Sequence, residues 1–283
     1  QRILEAEDVG IVLGRRTSRA TLVPYIRSQV SDWRHSGYEG ASETTKTLLN
    51  HWFETSHPDD FRYHFCQREA VETFIWLAEV KRYLIPSDLF SSILPDDHPQ
   101  YTAFTNVKPD DDQWGRYCSK LATGAGKTKC MSLVMAWSYF HSLYETDSPF
   151  PRHFVVIAPN LIVFDRLKDD FELAKIFSAD PILPPEFQED FNMQVVMQDS
   201  SGGGSYRGTI YLTNVHRLFP RKSETENVSG SSSILGPTVN KNQVFKVGEV
   251  LRNRISEHPS VMVLNDEAHH LHDPESAWNE AID

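Results

Sequence analysis

Positive charge is the first thing this chain is short of. Its 28 Lys and Arg face 39 Asp and Glu, a formal net charge of −11 over 283 residues. No global positive field exists to draw in nucleic acid, so any such contact has to be local. Cysteine is scarce as well. Cys66, Cys118 and Cys130 are odd in number and form no Cys-x-x-Cys pair, which argues against a disulfide framework or a zinc knuckle and fits a reducing cytoplasm. No apolar run reaches the length of a membrane span, since the longest, Met131 to Leu143, is interrupted by Ser138 and His141. No secretory leader opens the chain. It begins at Gln1 and stops at Asp283 inside a polar, helix-forming run, as expected of a segment of a longer protein.

Against these absences, one stretch carries chemistry. Leu121–Thr128 reads Leu-Ala-Thr-Gly-Ala-Gly-Lys-Thr. A glycine-rich turn between a strand and a helix lets backbone N–H groups close around phosphate oxygens, and the helix N-terminus adds partial positive charge there. Gly124 and Gly126 supply the permissive backbone. Lys127 would reach the β- and γ-phosphates, and the Thr128 hydroxyl would ligate a magnesium ion bridging them. The general pattern Gly-x-x-x-x-Gly-Lys-Ser/Thr asks for glycine where Leu121 stands, a departure that leaves the Gly-Ala-Gly-Lys-Thr centre intact. Residues 115–122 are expected to form a short strand entering the loop, and residues 128–144 a long apolar helix leaving it.

Before the loop, a strand is expected around Val9–Leu13, and Arg15, Arg16 and Arg19 read as a solvated turn. Helices are expected over 22–35, stopping at Gly37, and from Ser42, with Leu48, Leu49, Trp52 and Phe53 on one face. Phe61–Leu84 places Gln67 at the start of an amphipathic helix. A glutamine amide both donates and accepts, so it can read the N6 amine and N7 of adenine together, with Phe61 or Phe65 stacking on the ring. Residues 85–114 are a Pro- and Asp-rich connection with a short helix at Ser87–Leu94.

After the loop, His153–Ala158 is an unbroken apolar run, the pattern of a strand buried on both faces. Pro159 and Asn160 end it, and a helix is expected from Leu161 to about Phe177. This alternation implies a parallel sheet with ligands at the carboxyl ends of its strands. Further strands are expected at Met193–Met197 and Gly208–Thr213, with Gly202, Gly203 and Gly204 as a hairpin connection between them. Residues 221–242 have the composition of a surface insertion, and the Asn240-Lys241 within them lacks the aspartate of a guanine-binding motif. A helix at 243–255 leads to a strand at 261–265, and Asp266 and Glu267 stand at its end. Hydrolysis of a bound nucleotide needs a carboxylate to hold magnesium and a base to orient water. Asp266 would do the first and Glu267 the second. The following His269, His270, His272 and Asp273 lack a second ligand group at metal spacing and are not read as a metal site.

Gln67, Ala-Thr-Gly-Ala-Gly-Lys-Thr (122–128), Ala-Pro-Asn (158–160), Leu-Thr-Asn-Val-His (212–216) and Asp-Glu-Ala-His (266–269) follow one another as the Q motif and motifs I, Ia, Ib and II do in superfamily 2 helicases and translocases. In wording the chain most resembles the restriction (Res) subunit of type III restriction-modification systems and its DEAD/DEAH-box relatives. The resemblance implies a RecA-like P-loop NTPase domain over 61–283, α/β in class, with a mostly parallel central sheet flanked by helices and an accessory helical region at 1–60. It implies the ATP- and magnesium-dependent motor lobe of a DNA translocase or helicase.

On that reading Phe65, Gln67, Thr123, Gly124, Ala125, Gly126, Lys127 and Thr128 hold the nucleotide, while Thr128 and Asp266 hold the metal. Lys127, Asp266 and Glu267 act in hydrolysis, and His269 couples nucleotide state to the neighbouring lobe. Pro159, Asn160, Arg166, Thr213, Asn214 and His216 map onto segments that touch the DNA backbone in relatives. Expected partners are DNA, a second RecA-like lobe with its arginine finger, a nuclease domain and a modification (methyltransferase) subunit, with no membrane. Without the second lobe the segment is expected to bind ATP and hydrolyse it slowly, because an arginine finger contributes about 10³ to 10⁵ in rate. Two rival readings are a nucleotide-gated DNA- or protein-binding module with little turnover and a small-molecule phosphotransferase. The Gln67 segment and the separate Asp-Glu strand end disfavour the second.

Overall fold

The computed structural model describes residues 22–82, 89, 115, 117–197, 206–214 and 241–266. Outside them lie the strand expected at Val9–Leu13, the arginine cluster, the triple glycine, most of the 221–242 insertion, His216, Glu267, His269 and the histidines that follow. The chain divides into two compact units, Gln1–Leu49 with Tyr63–Ala125 and Asn50–Arg62 with Gly126–Asp283.

In the first unit, helix α1 (Leu22–His35) ends where Gly37 and Tyr38 turn to positive φ, and the Tyr38 amide closes the end on the Trp33 carbonyl at 3.0 Å. Helix α2 (Glu43–Phe53) starts after Ser42, whose Oγ accepts the Thr45 amide at 3.2 Å as an N-cap. Its Leu48 and Leu49 are buried in this unit, and its last turn, from Asn50, belongs to the second. Helix α3 (Phe65–Ile75) runs on into a π-helical turn, Trp76–Val80. Val71 and Ile75 of α3 are buried, as are Val30 and Trp33 of α1.

The second unit is built on a four-stranded parallel sheet: β1 (His153–Ala158), β2 (Met193–Met197), β3 (Gly208–Asn214) and β4 (Met262–Asn265), in the order β2-β3-β1-β4. The two central strands, β1 and β3, are buried along nearly their whole length, as their continuous apolar sequences require. Register pairs Ile157 with Thr213 on one side and Asn265 on the other, so Ala158, Asn214 and Asp266 stand level at the three strand ends. Helix α4 (Lys127–Tyr144) is apolar around its circumference and is buried from Ser132 to His141. Gly208 opens β3 because a Cβ there would lie 2.7 Å from the Arg152 carbonyl and 2.9 Å from the Tyr139 ring. Helix α5 (Leu161–Phe171) packs on β1 and β3, and helix α7 (Lys241–Ser256), after the short α6 (Ile176–Ala179), precedes β4. No helix among the described residues is long and apolar enough to cross a membrane.

Three expectations are corrected. The strand at 115–122 does not form: residue 115 and residues 117–122 have no regular structure and are mostly exposed. With only Tyr117 and Leu121 as large apolar residues, that segment has little to bury against a sheet. The hairpin at the triple glycine is excluded as well, because β2 and β3 are parallel, and a parallel pair needs a crossover connection. The helix expected over 161–177 stops at Phe171, and Leu173 takes a φ of 54°. In one straight helix Phe171 and Phe177 would point about 120° apart. The break lets both bury, with their rings 6.5 Å apart.

Candidate active site

The loop before α4 folds by local rules. The Ala125 amide donates to the Ala122 carbonyl at 3.1 Å, and Gly124 and Gly126 take φ of 78° and 83°. A Cβ on Gly124 would meet nothing within 4 Å, so the left-handed backbone alone selects glycine there. Gly126 is the N-cap of α4 and has no side chain to occupy the first-turn donors. Those N–H groups therefore remain for an external anion. Lys129 is drawn aside to Asp180 at 2.7 Å and the Phe61 ring at 5.0 Å, which distinguishes it from Lys127 on the same turn.

Gln67 belongs to the first unit and is buried at 3 % exposure. Its Oε1 accepts the His64 amide at 2.8 Å, and its Nε2 donates to the Ala125 carbonyl of the loop at 2.9 Å. One N–H and one lone pair of the amide are thus used by the chain itself, and one of each remains. Phe65, two residues earlier, is exposed, with the Arg34 guanidinium 6.0 Å from its ring centre.

At the end of β4 the backbone amide of Asp266 bonds the Ile157 carbonyl at 3.3 Å, which seats the carboxylate inside the unit at 2 % exposure. Arg166, on α5, donates to Oδ2 at 2.6 Å. Lys127 stands 3.9 Å from Oδ1, within ion-pair range but too far for a hydrogen bond, and among the described residues Oδ1 has no hydrogen-bond partner. A buried carboxylate oxygen in that condition costs about 1–3 kcal/mol. Such an oxygen suits a hard divalent cation, which prefers oxygen ligands. The residues present therefore fit magnesium and a phosphate chain: Asp266, the adjacent cation Lys127, the Thr128 hydroxyl and the uncapped helix start.

The sequence-predicted site residues thus separate into groups. Lys127 and Asp266 come together across 139 positions of chain, joined by Arg166, which sequence reasoning had assigned to the DNA track. No sequence signal pairs residues 100 positions apart. Asn160 is exposed, and its Oδ1 caps α5 by accepting the Val163 amide at 3.0 Å. Pro159, Thr213 and Asn214 are buried at the strand ends. Thr123 and Gly124 are exposed in the loop, and Ala125, Gly126 and Thr128 are half-buried. Glu267, His269 and His216 lie outside the described residues.

Residues 61–283 match the family model described as type III restriction enzyme, res subunit. No curated protein and no solved structure matches the chain.

Proposed function

The chain belongs to the family of the res subunit of type III restriction enzymes, whose domain is a helicase-like, ATP-driven motor, and we propose that it is the lobe that binds and hydrolyses ATP while touching DNA. The observation that carries this reading is the buried Asp266 carboxylate, with an unbonded oxygen facing Lys127 on the helix that follows the glycine loop. Backbone N–H groups at the start of α4 and the Lys127 ammonium neutralise the phosphate chain and hold it in place. Gln67 uses its remaining donor and acceptor on the adenine edge, with Phe65 or Phe61 against the ring. When bound, magnesium would neutralise charge on the phosphate chain, and Asp266 and Thr128 would hold it. Glu267, the next residue after Asp266, orients the attacking water and accepts its proton. Pro159, Asn160, Thr213 and Asn214 border the strand ends where a DNA backbone would run, His216 belongs to the same DNA-contacting motif by sequence, and His269 relays nucleotide state to a second lobe.

Two substitutions test this assignment. Lys127→Ala should weaken ATP binding about 10- to 100-fold, the loss of a charge-assisted contact, as measured with a fluorescent ATP analogue on the chain. Unchanged affinity would remove the phosphate-loop assignment. Glu267→Gln should bind ATP normally and lose DNA-stimulated hydrolysis in a protein that carries both lobes. Unaltered turnover there would leave the nucleotide-gated binding module as the better reading.

A further inference from the structure

Arg166 has a second property that the nucleotide reading does not use. Its guanidinium occupies Oδ2 of Asp266 at 2.6 Å, yet its side chain is 56 % exposed, so it approaches a buried carboxylate from the solvent side. It is carried by α5, whose first turn is capped by Asn160 at the end of β1. One turn further along the same helix, Asp170 stands at the i+4 position and lies within electrostatic reach of Arg166. The guanidinium therefore has an alternative acidic neighbour that requires no movement of the backbone.

We propose that Arg166 is a placeholder cation: it neutralises Asp266 while no divalent metal is held there, competes with the metal for that carboxylate, and on release becomes available to a nucleic-acid phosphate. This inference rests on the reading of Asp266 as a metal-holding residue. The physical argument is one of charge. A buried carboxylate with a single hydrogen-bonded partner is stabilised by one cation at close range, and a divalent ion on the same group makes the guanidinium superfluous and repels it. The same five-donor fork that bonds a carboxylate fits a phosphodiester. One guanidinium cannot serve both at once. Binding of nucleotide with metal and binding of DNA are thereby linked, and linkage is reciprocal: each strengthens the other by the same factor. Arg166 acts through Asp266 and is a positioning residue, not a catalytic one.

The experiment titrates Mn²⁺ into the chain in the presence of a non-hydrolysable ATP analogue, with the bound ion read by electron paramagnetic resonance. Arg166→Gln should tighten Mn²⁺ about two- to fivefold, the worth of a half-exposed ion pair, and Arg166→Lys should fall between it and the parent chain. In parallel, the affinity of the parent chain for a short DNA duplex should rise about fivefold when the analogue and Mn²⁺ are added, and this rise should vanish in Arg166→Gln. Arg166 is exposed, so both variants should fold, and a thermal melt checks this. Unchanged or weaker Mn²⁺ binding by Arg166→Gln, with the parent chain binding normally, would overturn the placeholder role alone. Failure of the parent chain to bind Mn²⁺ with the analogue would overturn the metal-site reading beneath it.

Discussion

Two buried carboxylates, one in each unit, are treated in opposite ways. Glu72 on α3 is fully buried and saturated. Its Oε2 accepts both Nε and Nη2 of Arg34, the Nε at 2.8 Å, while its Oε1 accepts the Tyr38 hydroxyl and Arg68 Nε, each at 2.8 Å. Burial, and after it the Glu72 charge, pushes the Tyr38 phenol above its ordinary range, so it remains a protonated donor. Asp266 is as deeply buried but, among the described residues, holds one hydrogen-bonded cation on Oδ2 and no hydrogen bond on Oδ1. Glu72 has no lone pair to offer a ligand and ties α1 to α3. Asp266 keeps one in reserve. The completeness of the shell, and not burial or charge, separates a structural acid from a site acid.

The largest expected effect breaks the saturated partner. Glu72→Ala should cost about 3 kcal/mol in urea unfolding, because it removes the buried acceptor shared by Arg34, Arg68 and the Tyr38 hydroxyl, although Glu69 still pairs with Arg34. A loss below about 1 kcal/mol would mean that the network adds nothing beyond packing. A smaller stability change is expected at the other acid. Asp266→Asn should shift unfolding by less than about 1 kcal/mol, since its bonded partner is half-exposed and one of its oxygens is already unsatisfied. The same variant should lose metal-dependent ATP binding, read by titration with and without Mg²⁺. A large stability loss with ATP binding intact would reverse the contrast.

The smallest effect is set by a neutral pair at the opposite end of the sheet. His153 and His258 stack with ring centres 3.6 Å apart, and Tyr211 shares a 2.8 Å hydrogen bond with His258. Burial first, then the His258 and Arg152 charges, lower the His153 imidazole from 6.5 to about 4. Burial also lowers His258. The unfolded chain therefore takes up protons at higher pH than the folded one does. Stability is fully present above the ordinary histidine value and declines as pH falls toward about 4. The melting temperature should drop by about a degree between about pH 7 and 5, and His153→Phe should flatten that slope. Equal slopes in the two proteins would clear this pair of the acid sensitivity.

Much of this arrangement was legible in the chain itself. Gly37 as the stop of α1, Ser42 as the start of α2, Gln67 in the first turn of α3 and the apolar runs of β1 and β3 obey rules that act within one turn or one strand. The segment at 115–122 misled because its place before a glycine loop suggested a strand, while its own composition has little to bury in a sheet. The direction of β2 relative to β3 was not legible for a different reason. Three glycines between two strands permit a tight turn but do not require one, and pairing with β1 places β3 parallel to both neighbours.

The glycine loop itself was determined by sequence alone, since left-handed backbone at Gly124 and Gly126 and an uncapped helix start follow from residues a few positions apart. Family membership was likewise readable from the order of short motifs along the chain. Only the tertiary structure decided that Asp266 would be buried with one oxygen unbonded, that Lys127 would stop 3.9 Å short of it, and that Arg166 would hold the other oxygen. Asp266 and Arg166 meet because strand β4 and helix α5 both dock on β1, and no local preference encodes a contact across a hundred residues.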